Sequence, residues 1–241
     1  RMLNAVGASV IAHATDGGWR VELRDPPDRI APLDFAVPGD VSSAAFVLAL
    51  AALGVAGKEV TIEHVGLNPT RTAFLDVLLR MGVDVEVRDR TPDGSNEPVG
   101  DIVVRPNVLR ATAVGADEVP RLIDELPLVA ILGACADGET RITGAEELRA
   151  KESDRIAAVS ANLTELGVEV EALQDGMIVQ GVPGRVLGGR VRSWKDHRIA
   201  MAFSVLGAAT GGAVELDDLA VSGVSFPGFH RLLSTLTAHH E

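Results

Sequence analysis

Read along the chain, the hydrophobic and polar positions form one unit used nearly three times. In the first copy an almost wholly apolar helix is predicted over 44–53, then a strand over 59–65. A second helix follows over 70–81 with Gly82 as its stop, and strands over 83–88 and 101–105 enclose a polar loop at 91–100. The second copy reads as a helix over 126–136, a strand over 139–143, a helix over 153–166 stopped by Gly167, and strands over 168–172 and 177–180. The third has a helix over 197–209, a strand over 213–216 and a last helix over 226–236. The first helix of each copy is apolar on all sides, which predicts full burial, whereas the second is amphipathic and lies outside. Strands this short alternating with helices predict an α/β fold.

Upstream of this pattern, 2–6 reads as the tail of a helix ended by Gly7, with strands over 6–10 and 19–23 and a Pro-rich, charged connector over 24–34. A domain boundary is expected near 36–39, with residues 1–36 closing an earlier copy and residues 37–241 forming one lobe. The chain opens in the middle of an element, as a piece of something longer would, and no signal peptide is visible.

Aromatic residues make up only 3% of the chain, so the core has to be built from Leu, Val, Ile and Ala. The apolar runs at 44–57 and 199–214 fall short of the ~20 residues a bilayer span needs, and each contains Gly. The lone Cys135, inside an apolar run, excludes an internal disulfide and reads as a small buried hydrophobe, which suits a reducing, cytoplasmic setting. A net charge of −12 argues against nucleic acid or an anionic membrane as partner. An anionic ligand therefore needs cations gathered locally.

Such gatherings occur where helices begin. Asp40, Ser42 and Ser43 precede the first buried helix and are explained by capping of free backbone N–H groups. Asp124-Glu125-Leu126-Pro127 opens the second. Capping does not explain Lys195, His197 and Arg198 at the third, because cations oppose the helix dipole there; an anion held by both helix end and side chains does. In Lys151-Glu152-Ser153-Asp154-Arg155, Lys151 and Arg155 are expected one turn apart on one helix face, with Asp154 supporting the helix start. If the buried helices pack in parallel, Asp124, Lys151, Glu152, Arg155, His197 and Arg198 meet at one end. Arginines there grip carboxylate or phosphate, and two carboxylates serve as acid and base. The residues alone give a site for a small polyanion with proton transfer, without metal-ligand spacing, and no particular reaction.

Lys151–Arg155 as quoted, together with Asp196-His197-Arg198-Ile199-Ala200-Met201-Ala202-Phe203, resembles the signature segments of the 5-enolpyruvylshikimate-3-phosphate synthase family. Pro38-Gly39-Asp40-Val41-Ser42-Ser43, Gly66-Leu67-Asn68-Pro69-Thr70-Arg71, Leu122-Ile123-Asp124-Glu125-Leu126-Pro127 and Ser225-Phe226-Pro227 resemble further segments in the right order. The resemblance implies one lobe of a two-lobed, inside-out α/β barrel, each lobe built of three βαβαββ units with three buried helices. It also implies transfer of the enolpyruvyl group from phosphoenolpyruvate to the 5-hydroxyl of shikimate 3-phosphate, on the way to chorismate and the aromatic amino acids. By the same resemblance Asp124 is the base, Glu152 the acid at the methylene carbon, and Lys151 a nearby cation. Arg155 and Arg198 hold phosphoenolpyruvate with His197 beside them, and neither metal nor organic cofactor is implied. Val224 stands where some members carry Lys. Because the family's N-terminal substrate-gripping segments have no counterpart here, the chain alone is expected to be a poor catalyst that needs the N-terminal half as partner. Two rivals are a related transferase acting on UDP-N-acetylglucosamine, and a non-catalytic half-protein that only docks to its missing lobe.

Overall fold

The computed structural model describes residues 1–16, 18–32, 34–92, 97–185, 187–211 and 213–238. A short helix α1 (Met2–Ala5) leads into the antiparallel hairpin of β1 (Ser9–Thr15) and β2 (Gly18–Arg24). The first unit then contains α2 (Val41–Ala52), β3 (Val60–Gly66), α3 (Ala73–Arg80), β4 (Asp84–Asp89) and β5 (Val99–Arg105). The second contains β6 (Ala113–Val114), α4 (Leu126–Cys135), β7 (Glu139–Ile142), α5 (Arg155–Glu165), β8 (Val170–Ala172) and β9 (Met177–Gln180). The third contains β10 (Gly189–Val191), α6 (His197–Ala209), β11 (Val214–Leu216) and α7 (Phe229–Thr237).

Sheet pairing shows the repeat more clearly than helix spacing does. In the second unit β6 and β7 are parallel, joined across α4, and β9 and β8 add antiparallel to give the order β6-β7-β9-β8. The first unit has the order β3-β5-β4, and a parallel bridge between Gly39 and Val65 stands in for its opening strand. In the third, β10 and β11 are parallel across α6, and among the described residues no antiparallel pair follows. A parallel pair needs a crossover, and in each unit the buried helix is that crossover.

Burial explains the composition. On α4 every residue from Leu126 to Ala134 is buried, and α2 and α6 are buried along most of their length. The three pack against one another, and alanines such as Ala45, Ala49, Ala130 and Ala202 let their backbones approach without aromatic filling. Phe46 of α2 meets Phe229 of α7 edge-to-face, with ring centroids 5.7 Å apart. Close approach also fixes glycine: a Cβ on Gly181, just after β9, would lie 1.9 Å from the carbonyl oxygen of Ala136. Cys135 is partly buried, and burial pushes its thiol up to about 11, so it behaves as the small hydrophobe the sequence suggests. Among the described residues no helix is long and apolar enough to cross a membrane.

Several expectations need correcting. The first hairpin strand is Ser9–Thr15 rather than 6–10, and α2 begins at Val41 rather than 44. The helices α3, α5 and α7 begin at Ala73, Arg155 and Phe229 rather than 70, 153 and 226, and β6 and β10 are additional strands. The loop expected over 91–100 falls partly outside the described residues.

Candidate active site

Aspartates cap α2, α5 and α6. Asp40 caps α2, accepting from the Ser43 N–H at 2.8 Å and its hydroxyl at 2.9 Å. Asp154 caps α5 through the Ala157 N–H, and Asp196 caps α6 through the Arg198 N–H at 2.8 Å. The chain reaches α4 instead through a 3-10 turn, Ile123–Glu125, which places Asp124 and Glu125 at the helix mouth. Side-chain contacts among these segments show that the helix starts converge.

Arg155 ties them together. It is the first residue of α5, and its side chain is 2% exposed. Its Nε donates to Asp196 Oδ2 at 2.8 Å and its Nη2 to Glu152 Oε2 at 2.6 Å. Nη1 reaches Asp124 Oδ1 at a long 3.4 Å. Asp196, wholly buried, also accepts from the Ser153 hydroxyl at 3.0 Å. Burial pushes the Asp196 carboxyl up, but the hydrogen bond and charge of Arg155, with the Arg198 N–H and Ser153, outweigh it and hold the group below its ordinary range. The two residues before Asp196, Trp194 and Lys195, take positive φ values of 55° and 57°. Left-handed backbone at two successive non-glycine residues is strained, by about 1–3 kcal/mol each, and persists only where the surroundings over-determine it. The buried Asp196 anchor supplies that constraint.

Arg198, in the first turn of α6, shares Asp124 with Arg155 and adds Glu125. Its Nη2 lies 3.6 Å from Asp124 Oδ2 and its Nη1 3.7 Å from Glu125 Oε1. Arg71, in the loop before α3, donates to the Ser42 hydroxyl at 2.8 Å and lies 3.8 Å from Asp124 Oδ2. Burial lowers the pKa of His197, which feels the charges of Asp196, Arg198, Glu152 and Arg155. Asp124, Glu152, Arg155, His197 and Arg198 are thus brought together as expected.

Lys151 is placed differently. Asp154 caps α5, so Lys151 lies before the helix, not one turn below Arg155 on its face; its Nζ pairs with Glu147 at 2.6 Å. The supposed like-charge pair does not exist. Sequence reasoning also passed over Arg71, Glu125 and the role of Asp196. For Asp196 a signal was present: Asp directly before an apolar helix is a cap. A groove of about 730 Å³ lined by α5, Trp194, β10 and β11 contains none of the expected site residues.

With this geometry in place, comparison with known proteins decides the lineage: residues 1–233 match the family model described as EPSP synthase (3-phosphoshikimate 1-carboxyvinyltransferase). The chain belongs to the EPSP synthase family. Curated relatives named 3-phosphoshikimate 1-carboxyvinyltransferase include one from Syntrophomonas wolfei, 41% identical over 99% of this chain and 54% of its own length. Another, from Chloroflexus aggregans, is 44% identical over 98% and 53%. The solved structure of EPSP synthase from Acinetobacter baumannii superposes with a TM-score of 0.84 at 37% identity, covering 97% of this chain and 52% of that one. The enolpyruvyl transferase NikO from Streptomyces tendae, 23% identical with a TM-score of 0.68, shares the fold. This EPSP synthase family chain spans about half the length of the relatives it matches, and its α/β repeat is one lobe of their architecture.

Proposed function

We propose that this lobe carries the phosphoenolpyruvate side of an enolpyruvyl transfer to the 5-hydroxyl of shikimate 3-phosphate, with release of phosphate. The observation that supports it most is the convergence of two carboxylates, Asp124 and Glu152, on two arginines, Arg155 and Arg198, at the mouths of buried helices. Arg198 and Arg155 take the anionic groups of phosphoenolpyruvate with His197 beside them. Glu152, half exposed, turns away from Arg155 to free that edge of the guanidinium. Asp124 accepts the hydroxyl proton while Glu152 delivers one to the methylene carbon, giving a tetrahedral adduct. As phosphate leaves, a carboxylate removes a proton from the new methyl group and the enol ether forms. Lys151, at the rim, contributes positive charge near that carbon once released from Glu147. No step calls on a metal or organic cofactor.

The partner in this reading is the N-terminal half of the same enzyme, which supplies the rest of the shikimate 3-phosphate contacts. Phosphate release is measured from both substrates with this chain alone, then with the N-terminal half of a relative added. Turnover only in the mixture supports the assignment. Absence of turnover in both, with phosphoenolpyruvate binding unchanged by Arg198→Ala, removes it and favours a module that only docks.

A further inference from the structure

Glu125, at the mouth of α4, neither caps a helix through its side chain nor takes part in the chemistry above. Glu125 is 2% exposed, and neither carboxyl oxygen has a hydrogen-bond partner among the described residues. A carboxylate buried without hydrogen bonds either finds a cation or takes a proton. The groups facing it are the Arg198 guanidinium from α6 at 3.7 Å, Asp124 in its own turn, Arg71 from the loop before α3, and the Ser42 hydroxyl of α2. Burial pushes the Glu125 carboxyl above its usual range, while Ser42 and Arg198 pull the other way without a well-formed hydrogen bond. Arg198 is shared, since its other Nη reaches Asp124 at 3.6 Å.

We propose that Glu125 is a positioning residue that exchanges charge with the bound anion: as a carboxylate it holds Arg198 in the empty site, and it takes one proton from solvent when a dianion occupies that guanidinium. This rests on Arg198 being an anion ligand. Two negative groups on one guanidinium in a desolvated pocket repel, and neutralising the protein's own group relieves that repulsion. By linkage, anion affinity is higher where Glu125 is protonated, roughly tenfold or more, and falls as pH rises through its titration.

Sulfate is the probe, because its charge is constant over pH 5–8. The Glu125 side-chain carboxyl is followed by carbon NMR in the unmutated 241-residue chain, assigned by its loss in Glu125→Gln and its shift in Glu125→Asp. The expected result is a midpoint above ~4.3, the ordinary Glu value, that rises further under saturating sulfate. Sulfate affinity in Glu125→Gln loses its pH dependence apart from the part tracked by the His197 ring signals. A midpoint indifferent to sulfate, or a Glu125→Gln chain that keeps the original pH dependence, overturns the proposal. If Glu125→Gln fails to fold, the titration of the unmutated chain decides alone, with Glu125→Asp giving the assignment. Sulfate that fails to bind the unmutated chain at any pH instead overturns the anion-site reading itself. Binding that Arg198→Ala abolishes, but that ignores Glu125, sinks this inference only.

Discussion

Asp196 does two jobs that a single substitution separates. It caps α6, and it is the wholly buried partner of Arg155. Asn caps helices about as well as Asp, so Asp196→Asn keeps the first role and removes the charge together with the oxygen that accepts from Arg155 Nε. Taking one member from a buried ion pair costs about 3–5 kcal/mol, because the other is left desolvated. Arg155 retains Glu152 at 2.6 Å and the longer contact to Asp124, which points to the lower end, about 3 kcal/mol. At roughly 2–4 °C per kcal/mol for a chain of this size, the melting temperature falls by about 6–12 °C. With a urea slope of about 3 kcal/mol/M, the unfolding midpoint falls by about 1 M. Urea unfolding followed by circular dichroism, on Asp196→Asn, Arg155→Met and the double variant, closes a cycle in which the coupling is at least about 2 kcal/mol. The acid limb adds a check. Since the folded carboxyl titrates below the ordinary 3.8, its stabilisation is in place above that value and is lost as pH falls through the folded one. That part of the acid limb disappears in Asp196→Asn. A loss within about 1 kcal/mol, or additive effects in the double variant, refutes the claim that Arg155 depends on this partner.

Two further outcomes follow from the geometry. Gly181→Ala places a methyl group 1.9 Å from the Ala136 carbonyl oxygen, where backbone must shift, and costs about 3 kcal/mol in thermal unfolding; an unchanged melting temperature counts against so close an approach. His197, its pKa lowered by burial, titrates below 6.5 by NMR. The stability gained by keeping it neutral is present above 6.5 and is lost as pH falls through that range, and a midpoint at or above 6.5 contradicts the burial argument.

Much of this architecture is legible in the sequence because its strongest signals are local. The helix over 197–209 and the strand over 177–180 come out at their observed residues. The apolar run of α6 starts directly after its cap, and Met177–Gln180 is bounded by Gly at both ends. Where a side chain bends the backbone, periodicity misleads. Asn68 accepts from the Thr70 N–H at 3.0 Å and its hydroxyl at 2.9 Å, which holds 68–70 in a turn and delays α3 to Ala73. Strands as short as β6 and β10 carry too few positions for an alternation to register, and only their parallel partners define them. The charged residues divide in the same way. Asp124, Glu152 and the two arginines are legible as a group because each lies at or just before a helix start. Burial of Asp196 and Glu125 depends on elements tens of residues distant, and their neighbours in sequence do not announce it.

For a chain with a net charge of −12, the proposed anion site depends on the unequal exposure of the acids around its arginines. Asp196 is wholly buried and keeps Arg155 in place whatever else happens. Glu152 is 51% exposed and Asp124 28%, so their contacts to Arg155 lie close to water. Pairs open to water on one side hold less firmly than the wholly buried one to Asp196. In the proposed function an arriving anion displaces carboxylates that water can take up and inherits a guanidinium already desolvated and oriented. The same displacement frees Glu152, the proposed proton donor, at the moment a substrate is there to receive its proton. Were Asp196 as exposed as Glu152, the anion would have to organise Arg155 for itself, and binding would carry the entropy of ordering that side chain.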